Sequence, residues 1–235
     1  MTTRQNTTRT TVTFPSNGMT LVGHLHTPEG ADGTPRPVGR AIVDHLFPDG
    51  DAGRIPIVGV TGTNGKTVVA RLVARLLHLS GKRTGLACSE GLYLDRRLVQ
   101  KGDRADFASG TRVLMNRNVD AAVIENDSGV ILGQGLAYDR CQVGVVTNID
   151  DADHLGDFDI NETERMFNVF RTQVDVVLPT GAAVLNARDP RVVEMAELSD
   201  GAVIFFGIDP ALPAIAEHRG KDGRAVFGRD GAIVL

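Results

Sequence analysis

The sequence has no apolar run approaching the roughly 18 residues of a membrane span, and its polar start, Met1-Thr-Thr-Arg-Gln-Asn, lacks a secretory apolar core. Both absences point to the cytoplasm. There is no massed basic tract either. The 25 Lys and Arg are scattered among 29 Asp and Glu, and the net charge of −4 leaves no electrostatic footprint for nucleic acid. No C-x-x-C pair occurs: Cys88 and Cys141 lie far apart and read as buried thiols of a reducing compartment, with no disulfide indicated. No G-x-S-x-G follows the strand-like opening, so a serine-hydrolase nucleophile elbow is excluded. No internal repeat is evident. What remains is a chain of 235 residues, 42% hydrophobic, long enough to bury the core of one large domain or two small ones.

What is present is organised around Ile55-Pro-Ile-Val-Gly-Val-Thr-Gly-Thr-Asn-Gly-Lys-Thr67, an apolar run that enters a glycine-rich turn and opens a helix. Gly62 and Gly65 permit turn conformations that side chains hinder, so that successive N–H groups can converge on an anion. The helix adds its positive dipole end, Lys66 can reach outer phosphates, and the Thr67 hydroxyl is placed to ligate magnesium. The common phosphate-loop spacing G-x-x-x-x-G-K-[ST] requires glycine where Val60 stands. The match is to a variant, T-G-T-N-G-K-T, in which Thr61, Thr63 and Asn64 carry specificity beside the glycines. An ordinary strand-turn-helix with a solvated lysine would share part of this pattern. The strand before and the helix after favour nucleotide phosphate.

Before this stretch, residues 1–35 read as a hairpin around Asn17-Gly18. His24 and His26 share one strand face but have no third ligand candidate nearby, so they read as solvated strand residues. Glu29 to Pro37 is Gly-, Pro- and Asp-containing and breaks the chain. Residues 36–53 then read as a linker with a short amphipathic helix carrying Val38, Ile42 and Leu46. Residues 54–235 form the nucleotide domain. After the loop, Val69, Leu72, Val73, Leu76 and Leu77 predict one apolar helical stripe ended by Gly81. Apolar runs recur at Thr84–Ala87, Ala121–Ile124, Val143–Thr147, Ala182–Leu185 and Val203–Phe206, mostly separated by helix-like stretches. This predicts an α/β fold, a doubly wound and mainly parallel sheet with helices on both faces. Gly91–Val99 and Ala225–Leu235, with turns at Asp95-Arg96 and Asp230-Gly231, predict small antiparallel hairpins at the margin.

In such a sheet, ligands lie beyond the carboxyl ends of the strands. Glu125 follows Ala121-Ala-Val-Ile and could hold magnesium directly or through water, or be a solvated strand-end carboxylate. Val143-Gly-Val-Val-Thr-Asn-Ile149 runs into an acidic turn, Asp150-Asp-Ala-Asp-His154-Leu-Gly156, whose imidazole could hold a second metal or a phosphate oxygen.

T-G-T-N-G-K-T, then Glu125, then T-N-I-x-x-x-D-H-L-G resembles, in order and spacing, the central ATP-binding domain of the Mur ligase family. Arg36 to Pro48, Ile131 to Asn148 and Ala183-Val-Leu-Asn-Ala-Arg-Asp-Pro190 extend the likeness to its cyanophycin synthetase branch. The resemblance implies that ATP and magnesium activate a carboxylate as an acyl phosphate, which an amine attacks to form an amide. The branch implies arginine as the amine and a polyaspartate backbone as the acceptor. By position, Lys66 and Thr63 would hold phosphates, Thr67 and Glu125 a first magnesium and His154 a second, while Asn148 and Asp153 shape the pocket. The family places a lysine, often carbamylated, after the D-H-L-G turn. Residues 157–180 contain no lysine, and Phe170 takes that place by count, so a weaker second metal site is expected. The family's carboxy-terminal ligase domain has no counterpart in these residues. The chain is therefore expected to be a fragment that needs missing ligase domains or a homo-oligomer to be active. Two other readings fit a phosphate loop: a small kinase or NTPase, for which Arg112 and Arg117 are the candidate γ-phosphate arginines, and a non-catalytic nucleotide-binding module.

Overall fold

A computed structural model describes residues 7–16, 19–28, 42, 43, 45, 47, 53–150, 156–160 and 162–235. It divides into two compact units, Met1–Arg54 and Ile55–Leu235. In the first unit, β1 (Thr7–Ser16) and β2 (Met19–Pro28) pair antiparallel with Ser16 opposite Met19. His24 and His26 lie on β2 opposite Thr11 and Arg9, and their side chains lie outside the described residues. Ile42, Val43 and His45 are helical, and Val38 and Leu46 of the expected amphipathic helix lie outside the described residues.

The second unit is built on one ten-stranded sheet. Its parallel centre comprises β3 (Ile57–Thr61), β4 (Thr84–Cys88), β7 (Ala121–Glu125), β8 (Cys141–Val146), β9 (Val177–Asn186), β10 (Ala202–Gly207) and β11 (Arg224–Arg229). Antiparallel strands close the margins: β5 (Gly91–Leu94) and β6 (Arg97–Lys101) beyond β4, and β12 (Ala232–Val234) beyond β11. The spatial order is β12-β11-β10-β9-β8-β3-β7-β4-β5-β6. Both marginal hairpins turn where expected. Asp95 and Arg96 have φ of 45° and 70°, and Asp230 and Gly231 have 51° and 74°, the paired positive values of a two-residue turn whose twist suits a hairpin.

Strands covered on both faces must be apolar on both, which is why the runs in the sequence are continuous rather than alternating. One face carries Val58, Val60, Leu86, Cys88, Val123 and Val145, packed against α1 (Lys66–Leu79). The other carries Ile57, Ala87, Ala122, Ile124, Val146, Ala183 and Leu185. Against that second face pack residues of α2 (Phe107–Leu114), α3 (Ser128–Gln134), α4 (Thr163–Phe170), α5 (Thr172–Asp175), α6 (Pro190–Glu194) and α7 (Pro213–Gly220).

The stripe expected on α1 is displaced. Ala70 and Ala74 are the buried residues, flanked by the partly buried Val69, Val73 and Leu77, whereas Leu72 and Leu76 are 59% and 64% exposed. Small side chains let the helix lie close on the sheet, and that closeness rotates the two leucines outward. Gly81 ends the helix as expected, with φ of 88° and its N–H donated to the His78 carbonyl at 2.9 Å. Among the described residues no helix is long and apolar enough to cross a membrane.

Beneath β3 lies a buried polar cluster. Asn126 Nδ2 donates to the Tyr138 hydroxyl and to Gln173 Oε1, both at 2.7 Å; Tyr138 donates to the same Gln173 oxygen at 2.8 Å; and Gln173 Nε2 reaches Cys141 Sγ at 3.4 Å. The cluster fits because Gly59 has no side chain: a Cβ there would collide with the Tyr138 hydroxyl and the Gln173 amide. Gly59→Ala should therefore destabilise the protein by about 1–3 kcal/mol through overpacking, a fall in melting temperature of roughly 2–10 °C by calorimetry. An unchanged melting point would mean that the cluster moves aside freely.

Cys88 and Cys141 are buried thiols, as expected, and 0% and 1% exposed. Burial raises the pKa of both, that of Cys141 to about 12. Only a minute thiolate fraction then exists near neutral pH. Iodoacetamide at pH 8 should leave both unmodified in the native protein and label both after denaturation, read by mass spectrometry.

Candidate functional site

The glycine turn 62–65 lies at the carboxyl end of β3, between the ends of β7 and β8. Its shape is imposed by neighbours. Gly62 has φ of 122°, and a Cβ there would collide with Thr147 Oγ1 and lie 2.9 Å from the Asn148 carbonyl. The Thr63 N–H donates to the Asn148 backbone carbonyl at 2.9 Å. The Asn148 side chain closes on Asn64 twice: Oδ1 accepts the Asn64 N–H and Nδ2 donates to the Asn64 carbonyl, each at 3.0 Å. Thr63 Oγ1 in turn accepts the Asp150 N–H at 3.0 Å. Gly65 has φ of 85° and caps α1. The first helical bond runs from Val69 to Gly65 at 3.0 Å, so the N–H groups of Lys66, Thr67 and Val68 precede every intrahelical acceptor. Lys66 Nζ donates to the Thr63 carbonyl at 3.0 Å, which folds the lysine back over the turn.

Each residue expected at the site among those described lies at this sheet edge, though not all serve in the same way. Thr61 is fully buried, and its hydroxyl donates to the Asn126 carbonyl at 2.9 Å, so it joins β3 to the end of β7. Asn148 braces the turn. Glu125 is 1% exposed and faces three donors: Thr67 Oγ1 reaches Oε1 at 3.0 Å, Ser89 Oγ reaches Oε1 at 2.7 Å and the Ser89 N–H reaches Oε2 at 2.9 Å. The alternative of a solvated strand-end carboxylate is therefore set aside. His154 and Asp153 lie outside the described residues. Phe170 is fully buried in the core cluster with Met166 and Val169, where it offers no ligand. Of the arginines named for the kinase reading, Arg112 donates to Gln100 Oε1 at 2.8 Å, and Arg117 lies just before β7, on the amino-terminal side of the strands and away from the turn.

Two contributors escaped the sequence reading. Ser89 is the first polar residue after β4, and the rule that singled out Glu125 after β7 would have found it. Asp189 lies in the turn after β9. Its Oδ2 accepts the Ile149 N–H at 2.7 Å and its Oδ1 the Arg191 N–H at 3.1 Å, while Asn186 Nδ2 donates to the Thr147 carbonyl at 2.8 Å. The β9 turn is thus stapled to the β8 turn that braces the glycine loop. Among the described residues no group of three His, Cys, Asp or Glu side chains could hold a metal unaided.

The model of the Mur ligase middle domain matches residues 60–226. Cyanophycin synthetases of Synechocystis sp. and Crocosphaera subtropica are 41% and 42% identical over 205 residues, covering 87% of this chain and 23% of each relative. A UDP-N-acetylmuramoylalanine–D-glutamate ligase of Anaeromyxobacter dehalogenans is 34% identical over 172 residues, 72% of this chain and 32% of that protein. The solved structure of a UDP-N-acetylmuramoyl-L-alanyl-D-glutamate–2,6-diaminopimelate ligase superposes with a TM-score of 0.55 at 20% identity, over 71% of this chain and 34% of that one, which shows the shared fold. The chain spans about a quarter of the length of the cyanophycin synthetases it matches. With a braced glycine turn, a buried strand-end carboxylate and a family model that spans both, the chain belongs to the Mur ligase family through its middle domain.

Proposed function

We propose that this domain binds ATP with magnesium and serves an amide-forming ligase of the cyanophycin synthetase kind. The observation that carries the proposal is the pairing of Thr67, the residue directly after the lysine of the glycine loop, with the buried Glu125. A buried carboxylate with three donors and no cation against it among the described residues retains acceptor capacity on Oε2. Hydroxyl and carboxylate oxygens are the hard ligands that magnesium takes, so the residues fit the ion. Thr67 and Glu125 would hold it, and when bound it would neutralise phosphate charge and polarise the γ-phosphoryl group.

The chain's own part is positioning. Lys66 exchanges the Thr63 carbonyl for a phosphate oxygen, the free N–H groups at the start of α1 receive the others, and Glu125 accepts a hydrogen bond from the Thr67 hydroxyl, which leaves the lone pairs of Oγ1 available. A substrate carboxylate oxygen then attacks the γ-phosphorus and ADP leaves, giving an acyl phosphate. An amine nitrogen attacks the acyl carbon, phosphate leaves, and the amine's surplus proton passes to solvent. Similarity to cyanophycin synthetases favours arginine as the amine and aspartate side chains of a polyaspartate chain as the acceptor.

Titration calorimetry of the 235-residue protein with a non-hydrolysable ATP analogue tests this reading. Lys66→Ala should weaken binding about tenfold to a hundredfold, the loss of one charge-assisted hydrogen bond of roughly 1.5–3 kcal/mol, with little change in melting temperature. Glu125→Gln should weaken binding in magnesium but not in EDTA. Wild-type affinity in both folded variants would remove the phosphate-loop assignment.

A further inference from the structure

The chain leaves β6 at Lys101, which pairs with Gly91, and so returns to the carboxyl edge beside the end of β4. There the Arg104 N–H donates to the Cys88 carbonyl at 3.1 Å, next to Ser89, whose hydroxyl and N–H hold Glu125. The Arg104 side chain is largely covered, and its Nε is buried with no hydrogen-bond acceptor among the described residues. Among the described residues the nearest carboxylate is Asp106, in a long ion pair 3.9 Å from Arg104 Nη1, and its oxygens also accept the Ser109 N–H at 2.7 Å and the Ser109 hydroxyl at 3.0 Å to cap α2. Asp103 Oδ1 accepts the Ala105 N–H at 3.0 Å. Two other arginines of this edge are engaged, Arg71 with Glu90 and Arg112 with Gln100.

A buried guanidinium N–H has forfeited its hydrogen bond to water and needs an explanation. The described residues offer it no acceptor, and the planar fork of arginine matches a carboxylate better than any other side chain does. An acidic substrate approaching this edge would also meet the negative charge of Glu125, which a fixed cation offsets.

We propose that Arg104 binds a carboxylate of the acceptor substrate, one that does not react, and thereby selects acceptors bearing more than one acidic group. The inference rests on the ligase reading and adds the residue that reads the acceptor's charge. Arg104 acts here as a specificity residue, holding a neighbouring carboxylate while another is activated at the nucleotide. A chain of aspartates meets that requirement, whereas a monocarboxylate does not.

The test uses the full 235-residue protein, dye-labelled deca-L-aspartate as the probe, and magnesium with a non-hydrolysable ATP analogue. Fluorescence anisotropy measures probe binding and calorimetry measures analogue binding. Arg104→Met, which keeps the apolar stem, should bind the probe about tenfold to a hundredfold more weakly, as expected for loss of a charge-assisted contact. Arg104→Lys should recover part of that loss, and analogue affinity should stay within about twofold of wild type in both, since no phosphate contact is removed. Equal probe binding in wild type and Arg104→Met, or no probe binding by the wild type, would overturn the inference. So would a parallel loss of analogue affinity. Failure of the wild type to bind the analogue at all would instead overturn the ligase reading and this inference with it.

Discussion

A turn built of glycines cannot hold its own shape, and this constraint governs the whole carboxyl edge of the sheet. Gly62 and Gly65 provide the conformations that bring donors together, but they also give the turn many others. The Asn148 side chain removes that freedom by pairing with both backbone groups of Asn64. Asn148 can do so because β8 lies directly beside β3, with Thr61 opposite Val146, and the chain passes from one strand end to the other at the right height. The brace is itself braced. Asp189 and Asn186 tie the β9 turn to Ile149 and Thr147. The bracing therefore runs across three adjacent parallel strands and holds the loop's backbone N–H groups in one arrangement, the preorganisation that the proposed phosphate site requires.

On the other side of β3 the neighbours supply charge rather than shape. The parallel register sets Glu125 opposite Val60, and the pairing of β4 with β7 brings Ser89 to the carboxylate, so the hydroxyls of Thr67 and Ser89 share one oxygen. Burying a carboxylate is expensive unless donors replace its water, and three donors do so here. Those same donors fix its orientation. One sheet edge thus holds a braced turn of backbone donors on the β8 side and an oriented carboxylate on the β7 side. The hairpin of β5 and β6 brings Arg104 to the end of that row.

Much of this was legible in the residues. The parallel strands announce themselves as short continuous apolar runs because both of their faces are covered, and the two marginal hairpins are signalled by Asp95-Arg96 and Asp230-Gly231. Glu125 stood out by its place directly after Ala-Ala-Val-Ile, at a strand's carboxyl end, although its burial, which separates a site carboxylate from a solvated one, was not legible. Packing closeness was not legible. Hydrophobicity alone favours Leu72 and Leu76 over Ala70 and Ala74, yet the alanines take the interface because a helix lying tight on a sheet has no room for leucine. The partners of Asn148, Ser89 and Asp189 were hidden for another reason. They depend on strand order, and β3 lies between β7 and β8, an adjacency that chain order does not reveal.

The central claim is that these residues form one magnesium-nucleotide site. A crystal structure of the protein with magnesium and a non-hydrolysable ATP analogue tests it most directly. The account predicts the terminal phosphates within hydrogen-bond distance of Lys66 Nζ and the first N–H groups of α1, and the ion beside Thr67 Oγ1 and Glu125. It also predicts that the pairing of Asn148 with Asn64 is unchanged. An analogue bound elsewhere, or a loop that must release Asn148 to receive it, would contradict the account.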